Sequence, residues 1–162
     1  MCDALTVLAV ALVAAAVAVK PAPAQFVRVD APHHVVSITL LAGYDSSNNG
    51  FNFDGYGRGE LLITVPLGWR VRIICTNRAA ARHSCAVVDG PMTVRPAFRG
   101  AATPDPTRGL RRGATATFSF RPTKLGPFRL ACLVPGHEEA RMWDVLEVVR
   151  GGRPSIVVRP GP

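Results

Sequence analysis

The chain has 162 residues, 48% of them hydrophobic and 19% charged, with a formal net charge of +8. That length and apolar share fit one domain with a real core and exclude a disordered polymer. The basic excess comes almost wholly from arginine, with only Lys20 and Lys124 as lysines, and no basic helix or aromatic-basic interleaving predicts a nucleic-acid partner.

The first element is an apolar run. Ala4 to Val19 carries no charge and is followed by Lys20 and the small, proline-rich stretch PAPAQ. As a helix those 16 residues would reach about 24 Å, short of a hydrocarbon core of roughly 30 Å. The pattern reads as a secretory signal cut near Ala24. The leading MCD lacks a basic residue, which leaves an uncleaved membrane anchor as the alternative. The expected organisation is a signal or anchor over 1–24, one domain over 25–150, and a tail over 151–162.

Beyond the leader the pattern is β. Val35–Leu41 is the first strand candidate. It is followed by the turn-rich GYDSSNNGFNFDGYGRGE, dense in Gly, Asn, Asp and Ser. Further candidates are Leu61–Val65, Arg70–Thr76, Ser84–Val88, Ala114–Phe120, Phe128–Leu133 and Val145–Val149. Several alternate apolar and polar residues, as in ATATFSF, which predicts one buried and one wet face. Prolines 66, 91, 96, 104, 106, 122, 127 and 135 are expected between the strands. The Pro/Gly-rich segment 89–113, with Arg95, Arg99, Arg108, Arg111 and Arg112, reads as an ordered excursion or a flexible loop. In the tail, Ser155–Val158 either frays or adds an edge strand. Seven or eight short strands without an amphipathic helix predict an all-β sandwich or barrel.

Cysteine usage separates two roles. Outside the leader stand Cys75, Cys85 and Cys132, an odd number for an exported chain. Either Cys75 and Cys85 pair, leaving Cys132 for other chemistry, or both are inert buried thiols.

Cys132 opens the stretch CLVPGHEEARM, in which Cys132, His137 and Met142 are spaced five apart. Pro135 and Gly136 force a turn between two strand candidates, so the three donors sit on one strand-to-strand loop. A thiolate, an imidazole and a thioether suit copper, whereas zinc prefers more Cys or His. A blue-copper centre also needs a second histidine. His83 is the natural choice, at the start of the strand candidate HSCAVV and after the break NRAAAR. His33 and His34 follow Pro32 in a polar stretch and read as solvent-exposed. Ser84 is placed for its backbone N–H to donate to the Cys132 thiolate. Leu133, Val134, Pro135 and Trp143 are candidates for an apolar shell, although Trp143 serves equally as core. Glu138 and Glu139 read as solvated loop carboxylates. GYGRG lacks the lysine and hydroxyl residue of a phosphate loop and reads as a turn cluster.

Four stretches, between about Asn49 and Val148, resemble the sulfocyanins, blue (type 1) copper proteins of the cupredoxin fold. They are NGFNFDGYGRGELLITVPLGWRV, NRAAARHSCAVV, PAFRGAATPDPTRGL and FRLACLVPGHEEARMWDVLEV. The last is the most specific, because C-x4-H-x4-M followed by Trp separates it from cupredoxins with shorter loops. The resemblance implies a cupredoxin-like Greek-key β-sandwich or barrel. It implies one copper, alternating between Cu(I) and Cu(II), held by His83, Cys132, His137 and Met142. It also implies a monomeric one-electron carrier serving protein partners of a respiratory chain, with an edge of His137 as the electron exit. The carrier would lie in the periplasm or on the outer face of the cytoplasmic membrane, tethered by the N-terminal segment if that is retained. No catalytic residue is expected, since no nucleophile–base order stands out and an axial Met142 opposes the open position an oxidase needs. The alternatives are a copper storage or delivery protein and a metal-free structural sandwich.

Overall fold

A computed structural model describes residues 20–161, so the apolar run and Cys2 lie outside the described residues. The described chain forms nine strands: β1 (Val27–Asp30), β2 (Val35–Ala42), β3 (Leu61–Pro66), β4 (Arg70–Asn77), β5 (Ala86–Val88), β6 (Thr115–Phe120), β7 (Gly126–Ala131), β8 (Trp143–Val149) and β9 (Ser155–Val158). Helical structure among the described residues is limited to single 3-10 turns at Pro23–Phe26 and Ser47–Gly50. None of it is long and apolar enough to cross a membrane.

The strands make two mixed sheets, ordered β1-β2-β4-β6 and β5-β7-β8-β3-β9. From β2 to β7 the chain steps from one sheet to the other at each strand, so β2 and β4 pair in parallel. β3 and β8 likewise pair in parallel in the other sheet. Alternation drives the layering. In β2, β4 and β8 every second residue is buried, and those faces meet in one core. Ile38, Ile63, Ile73, Leu130 and Leu146 are fully buried there. Each contributes about 1.5–3 kcal/mol by leaving water.

The two-sheet all-β architecture is the one the sequence predicts. Two details differ, and two open alternatives are decided. β1 was not anticipated, because VRVD exposes three of its four residues and buries none fully. Ser155–Val158 does pair with β3, as an antiparallel edge. Pro66 and Pro127 lie inside strand limits, near strand ends where little ladder bonding is lost. Segment 89–113 is ordered: Ala101 and Pro96 bond or bridge to Val87 and Val88, and Leu110 exchanges backbone hydrogen bonds with His83. It therefore covers the free edge of the short β5, which would otherwise be open to other chains.

Cys75 and Cys85 are joined by a disulfide. The bond links β4 in one sheet to the residue before β5 in the other, and both halves are fully buried. It closes the segment that carries His83.

Candidate metal centre

Cys132 follows the last residue of β7, and Met142 precedes the first residue of β8, so the loop between them caps one end of the sandwich. The loop folds on itself. His137 N–H donates to the Val134 carbonyl at 3.1 Å, and Met142 N–H donates to the His137 carbonyl at 2.9 Å. Cys132 N–H closes the base by donating to the Met142 carbonyl at 3.2 Å. Three donors of the loop are thereby hydrogen-bonded to one another's neighbourhood before any metal is considered.

His83 reaches them from the opposite segment. The preceding turn is organised by Asn77 at the end of β4. Its Nδ2 donates to the Ala81 and Leu110 carbonyls at 2.7 and 2.9 Å, and its Oδ1 accepts from Ala79 N–H at 3.0 Å. Two glycines make room. Gly43, at φ +63°, leaves space that a Cβ would take from Ala79 Cβ at 2.5 Å and His83 Nε2 at 3.1 Å. At Gly109, with φ +73°, a Cβ would come within 2.7 Å of Val134.

The ring nitrogens and the sulfur converge. His83 Nδ1 and His137 Nδ1 are 3.1 Å apart, and Cys132 Sγ is 3.3 Å from His137 Nδ1 and 3.9 Å from His83 Nδ1. A triangle of these sides has a centre about 2.0 Å from each corner, matching the roughly 2.0–2.1 Å reach of an imidazole nitrogen to a divalent first-row ion such as zinc. Two imidazoles and one thiol thus share a centre, at coordination distance for the nitrogens and slightly inside the roughly 2.3 Å usual for a metal–thiolate bond. Met142 is fully buried in the same core cluster as Cys132.

Protonation favours a cation. Burial first, then the neighbouring His137, holds His83 down to about 4, so its ring is neutral near pH 7. Burial also lowers His137, against a smaller upward pull from Glu139. Burial raises the Cys132 thiol, opposed by the N–H groups of Ser84 and Val134. A metal replaces the proton on such a sulfur and holds it as thiolate. Ser84 is where the sequence places it: its N–H donates to Cys132 Sγ at 3.2 Å, and its Oγ accepts from Leu133 N–H at 2.9 Å.

The fold has known counterparts. Auracyanin from Roseiflexus castenholzii superposes with a TM-score of 0.51 at 22% identity, over 70% of this chain and 96% of that one. Auracyanin A, a "blue" copper protein from Chloroflexus aurantiacus, gives 0.50 at 19% identity, over 71% and 99%. At these identities the likeness concerns the fold. The family model described as "Sulfocyanin (SoxE) domain" matches residues 22–99, which include His83. Sulfocyanin of Sulfolobus acidocaldarius is 28% identical over 123 residues, 68% of this chain and 62% of the relative. The chain is similar to the sulfocyanins in sequence and to the auracyanins in fold. It spans less than two thirds of that curated relative. This likeness and the donor set together point to one copper.

Several features of the site were not foreseen. Phe51 stands edge-on to His137 with ring centroids 5.0 Å apart, and to His83 at 6.3 Å. The turn-rich stretch around it is a brace. Asn48 Nδ2 donates to the Ala140 carbonyl at 2.9 Å, and Arg58 N–H donates to the Arg141 carbonyl at 3.0 Å. Only the unusual density of Gly and Asn hinted that this segment meets another backbone closely. Trp143 lies on the outer face of its sheet, packed on the small cluster of Ala86, Val88, Ala131 and Leu133. Glu138 is buried, contrary to its reading as solvated, because Arg129 pairs with it. Glu139 is exposed as expected. His33 and His34 are exposed and apart from the site: His33 bonds Asp30, and His34 stacks on Trp69.

Proposed function

We propose that the protein is a mononuclear type 1 copper electron carrier, in which His83, Cys132, His137 and Met142 would hold the copper. The triangle of two Nδ1 atoms and one Sγ carries this reading. Copper bound there supplies one-electron chemistry, alternating between Cu(I) and Cu(II). The chain's own contribution is to hold the donors still. Both sheets anchor them: β7 and β8 flank the loop, and the disulfide to β4 fixes the segment that follows His83. Because burial holds both imidazoles below their ordinary range and so neutral, a change of copper charge needs no proton to move at them.

His83 is fully buried while His137 is half-buried, so the exposed side of His137 is the exit for an electron. Partners are protein redox components of an extracytoplasmic chain. A buried disulfide fits an oxidising compartment outside the cytosol. The leader reading points the same way. With Met142 as a fourth ligand, the copper would serve electron transfer in preference to binding a substrate.

The test is the visible spectrum after adding Cu(II). An intense thiolate-to-copper band that vanishes in Cys132→Ser and bleaches or turns green in His83→Ala supports the reading. A colourless protein, or a band indifferent to Cys132→Ser, sinks it. Reversible voltammetry then separates a carrier from a copper store.

A further inference from the structure

One guanidinium on β7 touches both arms of the ligand loop. Arg129 lies three residues before Cys132, on the outward face of its sheet and diagonal to Trp143, since Ala131 is paired with Trp143. Arg129 Nη1 donates to Glu138 Oε1 at 2.6 Å. Its guanidinium carbon also stands 3.9 Å from the centre of the Trp143 ring. Glu138 directly follows His137, and Trp143 directly follows Met142. The second carboxylate oxygen of Glu138 accepts the Met92 N–H at 3.0 Å, which ties segment 89–113 to the same loop.

This arrangement is costly unless it has a task. Glu138 is 7% exposed, and a buried carboxylate without its partner gives up its solvation uncompensated. A solvated Glu at this position would cost nothing, as Glu139 next to it illustrates. The pair is poorly suited to adding stability, because apolar residues of like size commonly do as well. It is well suited to geometry. The planar fork fixes the Glu138 direction while the flat face of the same group rests on Trp143. Turning His137 or withdrawing Met142 would then require moving Arg129, which is held by the strand.

We propose that Arg129 and Glu138 are positioning residues for the copper centre, a clamp that holds the His137 and Met142 arms at fixed separation through redox turnover. The proposal rests on the assignment of that loop as the ligand loop. Partners that orient ligands in this way typically contribute about 10- to 100-fold to metal affinity or activity.

The experiment compares copper-loaded wild type with Glu138→Gln and with Arg129→Gln combined with Glu138→Gln, which leaves no orphaned charge. Band shape, copper loss to a chelator and the electron self-exchange rate are measured. The expected result is a retained thiolate band of altered shape, copper loss faster by about 10-fold or more, and slower self-exchange, in line with lost ligand orientation. Variants that match wild type in all three readouts, or that lower only the urea midpoint, overturn the clamp. If the double variant fails to fold, Glu138→Gln decides by the same three readouts. A wild type without the band refutes the copper reading itself and is thereby distinguished from failure of the clamp.

Discussion

The backbone N–H of Ser84 points at the sulfur of Cys132 across 3.2 Å, and the Ser84 hydroxyl accepts the next residue's N–H, that of Leu133, at 2.9 Å. One residue adjoining His83 thus holds both the thiol and its following peptide, joining the two separate parts of the site. Ser84→Ala keeps the first bond and removes the second. It leaves a buried N–H without a partner, which costs about 1–3 kcal/mol. The expected outcome is a lower urea midpoint with the Cys132-dependent copper band retained. A midpoint equal to wild type would show that Leu133 N–H finds another acceptor.

The disulfide makes a separate contribution. Cys75 and Cys85 are ten residues apart, and closing a loop of that length removes about 3 kcal/mol of unfolded-chain entropy on the loop-entropy model. The double change Cys75→Ala with Cys85→Ala should lower stability by up to that amount. Because the bond closes the segment carrying His83, copper should also leave the variant faster. Urea unfolding and chelator competition measure the two effects. Unchanged copper release would mean that Asn77 alone holds the His83 turn.

Asp54 predicts a pH dependence of stability. Its buried carboxyl is raised to about 7 by desolvation, against a smaller lowering by the bond from Leu41 N–H, while in the unfolded chain it ionises near 3.8. Between those values the folded state holds a proton that the unfolded state has lost. Stability from this group is therefore full below about 3.8 and falls as pH rises towards 7, with a slope of at most about 1.4 kcal/mol per unit. In the copper-free protein His83 opposes it, because a histidine held down to about 4 loses stability as pH falls below its ordinary 6.5. The difference between wild type and Asp54→Asn isolates the carboxyl. That difference should move in favour of wild type as pH is lowered from 8 to 5, read from urea midpoints of the two proteins. A difference that stays flat would place Asp54 in an ordinary ionised state.

Much of the fold was legible, because alternation in β2, β4, β6 and β8 is a local signal that burial follows directly. The candidate loop was legible for a similar reason: Cys132, His137 and Met142 are close in sequence, so spacing alone placed them on one strand-to-strand connection. What escaped has a non-local cause. Glu138 is buried only because Arg129, nine residues away on β7, points at it. Phe51 meets His137 only because the turn-rich stretch packs on the ligand loop. Neither partnership leaves a periodic trace. β1 escaped because an exposed edge strand has little apolar pattern to show.

Gly43 offers the sharpest check on how His83 is held. Its φ of +63° is open to glycine and uncomfortable for other residues, and a Cβ there would stand 2.5 Å from Ala79 Cβ and 3.1 Å from His83 Nε2. Ala79 cannot retreat freely, since its N–H is bonded to Asn77 Oδ1 at 3.0 Å and the same Asn77 holds Ala81 and Leu110. The added methyl must therefore push on the His83 ring, whose other nitrogen is one corner of the donor triangle. Gly43→Ala should fold with a loss of about 1 kcal/mol or more from the strained φ, while copper affinity falls further than stability does. The expected spectrum is a weakened or greener band, resembling that of His83→Ala more than that of Cys132→Ser. If Gly43→Ala keeps the wild-type band and copper affinity, the His83 ring is held from its Cys132 side alone, and the pocket wall formed by Gly43 and Ala79 does not set its position.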